Sequence, residues 1–218
     1  MKNKYLKGYC PTLEKPILAS DGLLLRFRPL MNLMDSEYLI SLCDLVESYG
    51  SGIMEITNRG SIQIRGIKKQ YHKNFLKKIF QTKIIKNDLN CNLNILINPF
   101  WVHQDKNYKI YNILNQYHVP NLPAKFGITV DLGEKACLKN VSADIRIENS
   151  ENNKILVRSE GSETGKVVEI NQVGIFVLKM IRWFLEKKDK NINKMSELLL
   201  KKKLPEDWCQ VKPLKKKL

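Results

Sequence analysis

The residues of this 218-residue chain whose type and spacing suggest chemistry are arginines. Arg26 and Arg28 lie two apart in Leu23-Leu24-Leu25-Arg26-Phe27-Arg28-Pro29, so an extended strand projects both from one face. Arg59 stands between two β-rich runs, and Arg65 falls in the middle of the second. Up to four guanidinium groups could therefore meet on one sheet. Guanidinium forks match carboxylates bidentately, which makes a carboxylate-binding surface the sharper reading. The plainer reading is pairing with Asp21, Glu55 or solvent, and spacing alone favours it.

Other chemistries find little support. The phosphate-binding G-x-x-x-x-G-K-[ST], dinucleotide-binding G-x-G-x-x-G, zinc-binding H-E-x-x-H and hydrolase G-x-S-x-G signatures do not occur. His72, His103 and His118 lie far apart with no Asp or Cys arrangement near them, so they read as surface or helix-end residues rather than ligands. Cys10, Cys43, Cys91, Cys137 and Cys209 contain no C-x-x-C pair and are odd in number. They are expected to be reduced thiols, some of them buried. Lys2, Lys4 and Lys7 precede no apolar stretch, so a secretory leader is not expected and a cytoplasmic location is.

With 43% hydrophobic and 27% charged residues, the chain has the composition of one ample domain or two small ones. Its longest apolar runs fall well short of a membrane span. The net charge of +15 is unevenly spread: residues 68–90 hold seven Lys against Asp88, and residues 201–218 hold seven Lys against Glu206 and Asp207. Lys73, Lys77 and Lys78 interleave with Phe75, Leu76, Ile79 and Phe80, as on the solvated face of an amphipathic helix. Attraction of a polyanion is the alternative, with nucleic acid as one case. The lysine segments lack a recognised nucleic-acid fold motif.

The elements that must position the arginines can be read from periodicity. Residues 22–28 suit a strand ended by Pro29. Asp35-Ser36 offers caps for a helix whose stripe runs through Leu39, Leu42, Leu45 and Val46 to Tyr49-Gly50. Residues 53–57 and 61–67 read as strands around the turn-forming Asn58-Arg59-Gly60, and residues 70–81 as a second helix. Strand, helix, strand, strand, helix is most of a ferredoxin-like split βαβ unit. Further strands are expected at 93–97, 125–132, 143–147, 154–158 and 166–170, with helices at 108–117, 173–187 and 193–204.

Four stretches carry a family resemblance. Leu24-Leu25-Arg26-Phe27-Arg28-Pro29 and Ile56-Thr57-Asn58-Arg59-Gly60-Ser61-Ile62-Gln63-Ile64-Arg65-Gly66 resemble the paired motifs of the nitrite and sulfite reductase ferredoxin-like superfamily. Leu122-Pro123-Ala124-Lys125-Phe126-Gly127 resembles the loop opening the next domain of that superfamily, and Asn94-Ile95-Leu96-Ile97-Asn98-Pro99 the segment between. The fold implied is α+β: a ferredoxin-like half-domain over 1–90 and the start of a nitrite/sulfite reductase-type α/β domain over 91–190. A Lys-rich helix and tail are expected over 191–218.

The resemblance implies a basic cradle for a carboxylate-rich tetrapyrrole. By position, Arg28, Arg59 and Lys125 match its cations, with Arg26 and Arg65 as weaker candidates because either could point to the other sheet face. Gly127 stands where sulfite and nitrite reductases carry a second lysine, and Leu93 where they carry an arginine. Each missing cation would give a buried anion roughly 1.5–3 kcal/mol, which argues against sulfite or nitrite as substrate. The form Leu-Pro-Ala-Lys-Phe-Gly is instead similar to the precorrin-3B synthases of aerobic cobalamin synthesis, oxidoreductases in which the tetrapyrrole, a precorrin, is the substrate. That family holds a four-iron, four-sulfur cluster with C-x5-C and C-x3-C pairs, and neither occurs here. The expectation is an amino-terminal half whose cluster comes from a partner chain. A non-catalytic carrier of a precorrin or siroheme-like ring is the alternative, and no general base can be assigned.

Overall fold

The structure, a computed structural model, describes residues 11–81 and 93–214. Cys10, Cys91, the lysines at 2, 4, 7, 83 and 86 and those at 215–217 lie outside the described residues. The chain divides into two units, Met1–Asp88 and Leu89–Leu218.

The first unit is a four-stranded antiparallel sheet with two helices on one face. Strand β1 (Ile17–Ala19) turns into β2 (Gly22–Phe27), followed by helix α1 (Ser36–Tyr49), the hairpin β3 (Met54–Ile56) and β4 (Ile62–Ile67), and helix α2 (His72–Gln81). The strand order is β1-β2-β4-β3. Leu25, Phe27, Ile62 and Ile64 pack with Leu42 and Val46 of α1 and with Phe75 and Ile79 of α2 in one buried cluster. Alternation does the rest: along β2, buried Leu23, Leu25 and Phe27 interleave with half-buried Leu24 and Arg26.

Strand β1 was not legible as a strand, being three residues on a sheet edge. The pairing of β2 with β4 shifts between Leu23↔Ile67 and Leu25↔Ile64. Gly66 takes a φ of +72° at this irregularity, and a Cβ on Gly22 would fall 2.8 Å from the Gly66 carbonyl carbon. Two glycines let the strands touch there.

The second unit is a mixed sheet. Strands β5 (Asn94–Ile97), β6 (Gly127–Asp131) and β7 (Ile145–Asn149) run parallel, and β8 (Ile155–Ser159) and β9 (Lys166–Val167) continue it antiparallel. Helix α3 (Lys106–Leu114) connects β5 to β6 as a parallel crossover demands. Asp105 caps it, accepting from the Tyr108 amide at 2.7 Å. Helix α4 (Val173–Lys187) buries Phe176, Val177, Met180, Ile181 and Phe184, the stripe its spacing predicts.

Three expectations shift in this unit. The strand expected over 166–170 is two residues long, and residues 170–172 form a 3-10 turn. The helix expected over 193–204 contains five residues, α5 (Met195–Leu199). Three adjacent lysines follow it, and Pro205 disfavours helical backbone at Leu204. The segment expected as a tail runs back along the sheet, with bridges from Gly165 to Val211 and from Ser150 to Pro213.

Trp208 anchors that segment. It is buried against Phe176 and Trp183, with ring centroids 5.3 and 6.0 Å away. Trp208→Ala is expected to destabilise the second unit by about 3–5 kcal/mol, measurable by urea denaturation. Beside it the Lys166 ammonium donates to Asp207 at 2.8 Å and holds that carboxyl below the usual carboxylate range. A lowered native pKa adds stability above the unfolded-state value, and this is lost as pH falls through the native value. Protection factors at residues 208–211, taken against the intrinsic exchange rate at each pH, should therefore fall on acidification in the wild type, and Asp207→Asn should remove that part of the pH dependence.

Candidate functional site

The arginines of the first unit share the helix-free side of its sheet. Arg26 pairs in register with Gln63, and Arg65 lies two residues from Gln63 on β4. All three are half-buried and alternate with the buried residues that face the helices. Arg28 continues the alternation just beyond β2. Arg26 and Arg65 thus share the face of Arg28, the point that spacing left open.

A chain of hydrogen bonds crosses this face. Arg26 donates to Gln63 Oε1 at 2.5 Å, and Gln63 in turn donates through Nε2 to Glu55 on the edge strand. Gln63 is a neutral go-between that uses both ends of its amide. The Nε atom of Arg26 is buried without a hydrogen-bond partner among the described residues. Arg65 Nε is held by Asp21 at 2.9 Å, in a pair about one-third exposed on each side. Such a pair is worth little to stability and holds the cation in place. The plainer expectation, pairing with Asp21 or Glu55, therefore describes Arg65 directly and Arg26 through Gln63.

Arg28 and Arg59 lie toward the same end of the sheet. Phe27 pairs with Ile62, so Arg28 leaves β2 where the turn holding Arg59 enters β4. That turn is braced by Thr57, whose carbonyl accepts from the Gly60 amide at 2.9 Å and whose amide donates to the Ser61 carbonyl at 2.9 Å. The loop after Arg28 closes over it. Met31 and Asn32 both take left-handed backbone, at φ of 53° and 57°. Strain of this kind costs about 1–3 kcal/mol per residue. Burial of the Met31 side chain and a 3.5 Å bond from Asn32 Nδ2 to the Arg59 carbonyl offset it. Asn32 and Gln63 are the residues that sequence reasoning did not assign to this network; the left-handed backbone at Met31 carries no signal in residue type.

Lys125 belongs to the second unit, where it is exposed just ahead of β6. Phe126 beside it is buried, 4.9 Å from Phe184 by ring centroid. The charged cleft of this unit, about 420 Å³, is lined by Asp131, Lys139, Arg146, Glu148 and Arg158 among others. Its arginines are already matched: Arg146 binds Glu160 and the Leu138 and Val141 carbonyls, and Arg158 binds Glu148 and the Ser162 carbonyl. Arg146 thereby braces the loop at 138–141.

The described cysteines do not fit an iron–sulfur cluster. Cys43, Cys137 and Cys209 are free and half-buried, and no group of three His, Cys, Asp or Glu side chains suited to a metal occurs among the described residues. His72 begins α2, with Nε2 2.8 Å from the Leu13 carbonyl, and His103 stacks on Tyr108 at 4.7 Å. No described helix is long and apolar enough to cross a membrane.

The turn at Gly60 supplies a test of this geometry. A Cβ there would lie 2.5 Å from Asn32 Nδ2, on backbone at φ +65°. Gly60→Ala is expected to destabilise the first unit by roughly 1–3 kcal/mol. Asn32→Ala should relieve the contact but not the backbone strain, so the double variant should lose less than the sum in urea denaturation.

Known proteins resemble this chain. Residues 18–79 match the family described as nitrite/sulfite reductase ferredoxin-like half domain. The chain is 31% identical over 148 residues to a precorrin-3B synthase from Sinorhizobium sp, an alignment covering 65% of this chain and 32% of that protein. The solved structure of Mycobacterium tuberculosis NirA protein superposes with a TM-score of 0.59 at 13% identity, covering 82% of this chain and 37% of that one. The chain therefore spans about a third of the length of each relative. Residues 18–79 are thus similar to the nitrite/sulfite reductase ferredoxin-like half domain, within an α+β chain similar to precorrin-3B synthase.

Proposed function

We propose that this chain is a precorrin-3B synthase-like oxidoreductase component of cobalamin biosynthesis, and that the arginine face of its first unit binds a carboxylate-rich tetrapyrrole. The observation that carries this reading is the placing of Arg26, Arg28 and Arg65 on one helix-free sheet face, with Arg59 at the Arg28 end. Carboxylates are the ligand chemistry that suits several guanidinium forks on a rigid surface. The incompletely bonded guanidinium of Arg26 fits the same ligand class. Arg28 and Arg59, which match the cradle cations by position in the motifs, are the first contacts, and Arg26 and Arg65 the secondary ones. Lys125 of the second unit is a further cation for that ligand class.

The C-x5-C and C-x3-C cysteine pairs do not occur in this sequence, and in this reading a cluster-bearing partner supplies the cluster. The second reading, a tetrapyrrole carrier without redox chemistry, needs the arginine face alone.

Absorbance titration of the full chain with uroporphyrin is expected to saturate. Arg28→Ala and Arg59→Ala should each weaken binding by about tenfold, the worth of one charge-assisted contact. A wild-type titration that never saturates would remove the proposal. Iron and acid-labile sulfide assays on complexes purified from the native host separate the two readings: cluster with a partner supports the oxidoreductase component, and macrocycle without a cluster supports the carrier.

A further inference from the structure

The cleft of the second unit contains polar groups that the protein itself does not answer. Register places Thr129, Arg146 and Arg158 in one row across β6, β7 and β8, and Asp131 and Glu148 in a second row on the same face of the sheet. The cleft, about 420 Å³, is walled further by Ala136 and Lys139 of the loop after β6 and by Pro213 and Leu214. Small-molecule sites usually have about 300–1,000 Å³.

Much of the lining is engaged. Arg146 donates from all three nitrogens to Glu160 and the Leu138 and Val141 carbonyls. Asp131 accepts from Asn98 and the Leu138 amide, and Arg158 donates to Glu148 Oε1 at 2.7 Å and to the Ser162 carbonyl at 2.6 Å. Other groups are left over. Thr129 is 2% exposed, and its hydroxyl makes no hydrogen bond among the described residues. Asn149 donates to the Leu132 carbonyl at 3.1 Å, but its Oδ1 is buried without a donor. Neither Glu148 Oε2 nor the Lys139 ammonium has a partner among the described residues. Native folds rarely leave buried polar atoms unpaired, and several beside one cleft call for an outside partner.

The charges select its class. With Arg146 answered by Glu160, the lining sets Asp131 and Glu148 against Lys139 and Arg158, a balanced pairing. A lone anion would meet the spare oxygen of Glu148, and a lone cation the ammonium of Lys139; a molecule bearing both charges satisfies each.

We propose that this cleft binds a small zwitterion of the amino-acid class with an apolar side chain. The ligand ammonium meets Glu148 Oε2, its carboxylate meets Lys139 and the Thr129 hydroxyl, and its side chain lies against Ala136, Pro213 and Leu214. The site is contained in the second unit and goes beyond the tetrapyrrole reading without resting on it.

Calorimetric titration of the full chain with L-leucine is expected to show saturable one-to-one binding. T129V, which keeps the shape and removes the hydroxyl, and E148Q, which keeps an acceptor for Arg158 and removes the charge, should each weaken it by about tenfold. Isovalerate and isoamylamine, each carrying one of the two charges, should bind at least tenfold more weakly than L-leucine. Failure of the folded wild type to saturate, equal affinity for either half-molecule, or wild-type affinity in either variant would overturn the inference. If E148Q does not fold, K139M takes its place with the same expected loss. Uroporphyrin titration reads the arginine face separately, so failure here leaves that reading standing.

Discussion

A strand can bury only every second side chain when helices cover one face of its sheet. In the first unit α1 and α2 take Leu25, Phe27, Ile62 and Ile64, and the alternate positions are left to the other side. Arg26, Gln63 and Arg65 occupy those positions, and Arg28 extends the row. A one-residue slip of β2 against the core would bury guanidinium groups among Leu42, Val46 and Phe75, at a cost no surface interaction could offset. Core packing and cation display are thus one constraint seen from two sides.

Several cations on one small surface repel each other, and the protein manages this locally. Arg65 is given a carboxylate, Asp21, whereas Arg26 is given a neutral amide that relays to Glu55. The difference matters for an anionic ligand. A carboxylate approaching Arg65 competes with a protein anion; one approaching Arg26 competes only with an amide oxygen. At the Arg28 end the turn at 57–61 and the strained pair Met31-Asn32 set backbone geometry, so Arg59 springs from a braced turn. Bracing of this kind lowers the entropy lost when a side chain is ordered by a ligand.

The second unit handles charge differently, by burying it in closed networks. Arg146 and Arg158 are answered by Glu160, Glu148 and loop carbonyls, and Asp144 by two amides and Lys194. Each network joins segments distant in sequence, from Asp144 to Met195 for instance. Such groups add specificity to a fold more dependably than they add stability, because any rearrangement strands a charge. The segment at 194–214 is accordingly part of the unit, fastened by Lys194, Trp208 and two β-bridges.

Period-two and period-3.6 patterns, the cap and turn residues and the arginine spacing were enough to read α1, α2, α4, most strands and the four arginines of the first unit from the sequence. These features depend on neighbours within a few residues, which is why they are written locally. The face shared by Arg26 and Arg65, the Gln63 relay, the choice of Arg65 as the partner of Asp21, and the clamp of Asp144 and Lys194 on the Lys125 loop were decided by the tertiary structure. Strand register and the burial of a charge depend on contacts between segments tens of residues apart. No local pattern of residue types records which distant backbone amide or ammonium a carboxylate will meet.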